Sequence, residues 1–118
     1  MSDIRDFQDL KVWQKAIQLA RGVYDVTKRF PAQERFGLTN QIRRAAVSVS
    51  SNIAEGHARQ GREFAHYLSI ARGSLAESQS QLLLAVELNF VAKAQISPLL
   101  ELITELLRMI ASFASKLK

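Results

Sequence analysis

Apolar residues return every three or four positions in four stretches of the chain, as they do where one face of an α-helix is buried. The first stretch places Trp13, Ile17, Ala20, Tyr24, Thr27 and Phe30 on one face, with Asp9 as its N-cap. It must end before Pro31, because the residue preceding a proline is pushed out of the helical region. The second carries Ile42, Ala45, Val49 and Ile53, after which Gly56 and Gly61 mark a break. The third runs through Phe64, Leu68, Ala71, Leu75, Ser78, Leu82 and Ala85 and closes at Asn89, a residue that tolerates the left-handed cap. Ser97 and Pro98 read as the N-cap and first-turn proline of a fourth helix, which shows Leu99, Leu102, Leu106, Met109, Phe113 and Leu117. The spacing thus predicts helices over 9–29, 33–57, 62–88 and 97–117, within a single domain spanning 1–118. Short connections between four such helices predict an all-α, antiparallel up-down-up-down four-helix bundle.

Two of these helices are wider in apolar surface than a bundle requires. The fourth has a second row, Leu100, Ile103, Leu107, Ile110 and Ala114. The third adds Ile70, Leu84 and Leu88 around a polar middle of Ser74, Glu77 and Gln81. Either both helices sit deep in a small core, or part of this surface is buried against another copy of the chain.

Composition narrows the class of function. The 118 residues contain no cysteine, which removes disulfides, thiolate nucleophiles and cysteine-ligated metal sites. An apolar fraction of 47% is that of a folded protein, and five glycines with two prolines are too few for a turn-rich β fold. Met1 to Leu10 has neither the basic nor the apolar region of a signal peptide. The longest apolar stretch, Leu82 to Val91, is interrupted by Glu87 and Asn89, so a cytoplasmic location is expected.

The net charge of +5 has one origin. Residues 1–27 and 73–118 are each balanced. Residues 28–72 hold Lys28, Arg29, Arg35, Arg43, Arg44, Arg59, Arg62 and Arg72 against Glu34, Glu55 and Glu63. Arginine predominates, and its planar fork suits phosphate as well as ion pairs between helices. Arg44, Ser48, Ser51 and Glu55 share a polar face of mostly small residues, so Arg44 and Glu55, with Arg72 and Glu77, are expected in packing or interface ion pairs. Lys28, Arg29, Arg35, Arg43, Arg59 and Arg62 are the expected phosphate contacts. Antiparallel helices would set Lys28, Arg29 and Arg35 at one end of the bundle and Arg59 and Arg62 at the other. Trp13, Tyr24 and Phe64 fall in helix stripes and are expected in the core, so aromatic stacking on bases is poorly supported.

Signals for catalysis are few. Glu63 and His66 have the E-x-x-H spacing of di-iron bundle proteins, but His57 is preceded by Ala54 at the matching position, so only half of such a site exists. His66 is therefore read as a surface or packing residue, and no metal or other cofactor is implied. No phosphate-cradling glycine loop and no serine nucleophile elbow occurs. The chain is not expected to be an enzyme.

Several blocks together are specific. They are Phe7-x-Asp9-Leu10-x-Val12-Trp13-x-Lys15-Ala16, Phe30-Pro31, Glu34, Gly37-Leu38, Gln41, and Arg43-Arg44-Ala45-Ala46-x-Ser48. The strongest, Asn52-Ile53-Ala54-Glu55-Gly56, is followed by Tyr67-Leu68-x-x-Ala71-Arg72-Gly73-Ser74-Leu75-x-Glu77. On these residues the chain resembles the ribosomal-RNA (23S rRNA) intervening-sequence protein family, relatives of the accessory proteins of diversity-generating retroelements. Ser50 and Asn89 stand where the family often has proline and glycine. The resemblance implies a cytoplasmic bacterial four-helix bundle assembled into a homopentameric ring. Through the retroelement relatives it implies binding of nucleic acid and of a reverse transcriptase by a basic surface.

The resulting expectation is a non-enzymatic homo-oligomer that binds nucleic acid, structured RNA ahead of DNA, through residues 28–72. The alternative is a structural adaptor whose oligomer recruits a protein partner.

Overall fold

In the computed structural model, which describes residues 6–117, the four stretches of helical spacing are four α-helices: α1 Lys11–Thr27, α2 Leu38–Arg59, α3 Gly61–Glu87 and α4 Lys93–Ser115. Two single turns of 3₁₀ helix, Phe7–Asp9 and Ala32–Glu34, precede α1 and α2, and no strand occurs among the described residues. Asp3, Arg5 and Lys118, which enter the charge balance above, lie outside the described residues. Each helix neighbours two others, α1 and α3 both touching α2 and α4. Ser74 meets Ser48 and Phe64 faces Gly56, while Lys15 pairs with Glu105 and Leu99 faces Gly22. Along each of these pairs the numbering rises on one helix as it falls on the other.

The start of α1 differs from expectation. Asp6, not Asp9, is the cap, accepting the Gln8 N–H at 2.8 Å for the 3₁₀ turn that contains Asp9. Leu10 follows in extended conformation and is itself buried, so α1 begins at Lys11. The buried face is also rotated by one position. Val12, Ala16, Leu19, Val23 and Thr27 face the core, whereas Ile17 and Tyr24 are exposed and Trp13 and Ala20 only half-buried. The apolar arc of this helix is wide enough to hold both rows, and packing selects between them. Trp13 instead covers Phe7, the rings 5.1 Å apart.

Helix α2 begins at Leu38 rather than near 33 because the chain first spends Ala32–Glu34 in the 3₁₀ turn. The Glu34 carboxylate then accepts the Leu38 N–H at 3.1 Å, placing a negative charge at the helix N-terminus where it is favourable. The expected stripe of Ile42, Ala45, Val49 and Ile53 is buried. Gly56, however, does not break the helix; it lies within it and is buried against α3. The reversal comes at Gln60 and Gly61, both left-handed with φ of 61° and 59°, so α3 follows α2 almost without a loop.

All seven residues of the expected α3 stripe are buried, and Asn89 takes the left-handed conformation with φ 62°. The Phe90 N–H donates to the Ala85 carbonyl at 2.9 Å and the Asn89 N–H to Val86 at 3.0 Å, the two bonds of a Schellman stop. Helix α4 starts at Lys93, four residues before the expected Ser97. The side chain of Gln95 accepts the Ala92 N–H at 2.9 Å and caps the helix there, and exposed Pro98 is carried inside it. Both apolar rows of α4 turn inward: Leu99, Ile103, Leu106 and Ile110 are buried and Leu100, Leu102, Leu107, Met109 and Phe113 pack partly buried against the core. The width of α4 is thus used within one copy. That of α3 is not, since Ile70, Leu83, Leu84 and Leu88 remain exposed.

Candidate nucleic-acid interface

Helix α2 leans on the end of α1 through Arg43. Its Nε donates to Thr27 Oγ1 at 2.8 Å and its Nη2 to the Tyr24 carbonyl at 3.4 Å, and its guanidinium lies 4.4 Å from the Tyr24 ring centre. Thr27 can accept because its own hydroxyl proton goes to the Val23 carbonyl at 2.7 Å. A cation held at the C-terminal end of α1 also suits the negative end of that helix dipole. Arg43 is therefore fixed in place before any ligand arrives.

Around it opens a cavity of about 700 Å³ between α1, the 35–37 link and α2. Arg35, Arg43 and Arg44 line it together with Tyr24, Phe36 and Asn40, and no aspartate or glutamate is among its lining residues. Neither Arg35 nor Arg44 has a carboxylate within ion-pairing reach among the described residues. The nearest acid in sequence, Glu34, is occupied in capping α2. Arg44 also borders a second groove of about 340 Å³ toward α3, where Glu77 stands.

The other expected phosphate contacts lie elsewhere. Lys28 is 3.6 Å from Asp25, and Arg29 lines a shallow groove shared with Asp25 and Pro98 at the same end of the bundle. Arg59 and Arg62 are at the opposite end of α2; fifteen residues at 1.5 Å each put Arg59 about 22 Å from Arg44 along the axis. Arg59 is taken up internally, with Nε donating to Glu55 at 2.7 Å, Nη1 3.5 Å from Glu63 and the guanidinium 5.4 Å from the Tyr67 ring. The hydrogen bond to Glu55 holds its pKa above the ordinary arginine value, with the nearby Tyr67, Glu55 and Glu63 charges adding to the effect. Arg62 and Arg72 are exposed and have no ion pair among the described residues, and of Arg44, Glu55, Arg72 and Glu77 only Glu55 has one among those residues. His66 is exposed against Tyr67, and no cluster of three metal-ligating side chains forms among the described residues.

Two site residues escaped the sequence reading. Tyr24, expected in the core, is 43% exposed, and Phe36 is 86% exposed. Phe36 could have been noticed: it falls between Arg35 and Gly37, in a link too short to bury it.

The comparisons agree with this architecture. Residues 8–112 match the family described as 23S rRNA-intervening sequence protein. The chain is similar to a crystal structure from Bacteroides thetaiotaomicron, described as a protein of unknown function from the S23 ribosomal protein family. The two are 25% identical over 87% of this chain and 97% of that one, with a TM-score of 0.80. No curated protein matches the chain. Among the described residues no helix is long and apolar enough to cross a membrane.

Proposed function

Because this chain belongs to the 23S rRNA-intervening sequence protein family, we propose that it is a non-enzymatic, cytoplasmic bundle protein. It binds nucleic acid, structured RNA ahead of duplex DNA, through the groove between α1 and α2. The observation that carries this reading is the convergence of Arg35, Arg43 and Arg44 on one cavity with no carboxylate in its lining. Most of the affinity would come from counterion release as these arginines meet phosphates. Arg59, already shared between two glutamates, drops out of the site, and Lys28, Arg29 and Arg62 are left as peripheral cations. The direct test is binding of a labelled RNA hairpin across a salt series. Complexes that survive about 150 mM salt support the groove as a site; complexes lost well below that leave the +5 as solvated surface.

The bundle is further proposed to be antiparallel throughout and to assemble as a homopentameric ring. Exposed Leu84 and Leu88, one turn apart at the end of α3, support assembly, because a helix in contact with water does not ordinarily leave adjacent large apolar side chains there. Repetition of the groove around a ring would turn weak contacts into avidity. Light scattering should give a mass near five times 13.2 kDa. A single-copy mass at micromolar concentration would remove the ring and its avidity. The same exposed leucine pair favours a second reading, in which the oligomer recruits a protein partner such as a reverse transcriptase; RNA binding lost at low salt would point to it.

A further inference from the structure

Phosphate contacts alone do not account for the groove. A surface made to track a helical backbone needs cations, whereas this one sets an almost fully exposed phenylalanine among them. Phe36 is not exposed through looseness of its link. The Gly37 N–H donates to the Glu34 carbonyl at 2.9 Å, the Arg35 N–H to Ala32 at 3.1 Å and the Leu38 N–H to the Glu34 carboxylate. These bonds hold the backbone on both sides of Phe36, so the ring is presented from a fixed mount. Tyr24 lines the same cavity from α1, with Arg43 stacked on one face of its ring. Arg35 approaches the Phe36 ring with its guanidinium 5.7 Å from the centre. Asn40, also in the lining, offers both a donor and an acceptor.

Aromatic rings beside arginine planes, with an amide within the same cavity, are the equipment for unpaired bases, which stack on π faces while neighbouring cations take their phosphates. A base stacked within a duplex has no free face to offer such a ring. A cavity of about 700 Å³ lies in the range that small-molecule ligands of nucleotide size occupy. We propose that the groove takes an unpaired nucleotide of RNA, its base stacked on Phe36, so that the ligand is a loop or bulge rather than a continuous duplex. This inference rests on the nucleic-acid reading above and narrows its ligand.

The test uses the full chain and two labelled RNAs of equal phosphate number, a hairpin with an unpaired loop and a blunt duplex, near 150 mM salt. Wild type should prefer the hairpin by about tenfold, and abasic residues in the loop should remove that preference. Phe36→Ala should weaken hairpin binding by about tenfold and leave duplex binding unchanged, while Phe36→Tyr keeps the preference. In the abasic hairpin, Phe36→Ala should have no further effect. Equal affinity of wild type for hairpin, abasic hairpin and duplex would overturn the inference and leave the phosphate site standing. A Phe36→Ala loss shared equally by hairpin and duplex would overturn it as well. Failure of every RNA to bind would overturn both readings.

Discussion

Reversing the charge of Arg35 and Arg44 together, as Arg35→Glu with Arg44→Glu, is expected to weaken RNA binding by roughly two orders of magnitude or more at moderate salt. Each reversal removes one cation from a groove that has no carboxylate of its own and adds a repulsive charge facing the phosphates. The fold should be indifferent, within about 0.5 kcal/mol, because both side chains are exposed and neither is ion-paired among the described residues. Arg59→Glu provides the contrast. That guanidinium already serves Glu55 and Glu63, so its reversal should change RNA affinity by no more than about threefold. Anisotropy titrations of the three proteins, with circular dichroism to verify folding, read both effects. Equal losses from the two changes would move the site away from the α1–α2 groove.

Gly56→Ala is expected to destabilise the protein by about 2 kcal/mol, although alanine is intrinsically the better helix former by about 1 kcal/mol. A Cβ at this position would stand 2.8 Å from Tyr67 Cβ, 2.9 Å from Phe64 Cδ1 and 3.3 Å from the Phe64 carbonyl oxygen. The Phe64 ring could turn aside, but the carbonyl is part of the α3 backbone and moves only with the helix. The close approach continues along the pair, where Ser74 donates to Ser48 at 2.9 Å and Asn52 donates to both the hydroxyl and the carbonyl of Ser48. Forcing α2 and α3 apart at Gly56 therefore strains the Ser74–Ser48 bond, which joins the two helices, while the Asn52 bonds lie within α2 and are untouched. Urea unfolding at fixed protein concentration measures the loss, since assembly would otherwise shift the midpoint. A variant as stable as wild type would show that the two helices can separate at this end without cost.

Helix α3 was legible in the sequence because seven residues at alternating spacings of four and three mark its buried face, and Asn89 supplied the stop. Helix α1 was misread by one position, since its apolar arc is broad and periodicity does not choose a centre within it. Ser97–Pro98 looked like a helix start, but a side-chain acceptor at Gln95 and solvent around Pro98 let α4 begin earlier. The site was half legible. Its arginines were visible as a type, but Arg59 was counted among the phosphate contacts although Glu55, four residues before it on α2, holds it. Which arginines share a cavity depends on how α1 crosses α2, and no spacing along the chain encodes that. The same misplaced register hid Tyr24 in the core.

The most direct test of the groove is the slope of log affinity against log salt for the hairpin, measured for wild type and for Arg35→Gln with Arg44→Gln. Each phosphate contact contributes about 0.7 to 0.9 to that slope. If both arginines hold phosphates, neutralising them should make the slope shallower by about 1.4 to 1.8. An unchanged slope would mean that neither side chain meets a phosphate, and would contradict the assignment of this groove as the nucleic-acid site.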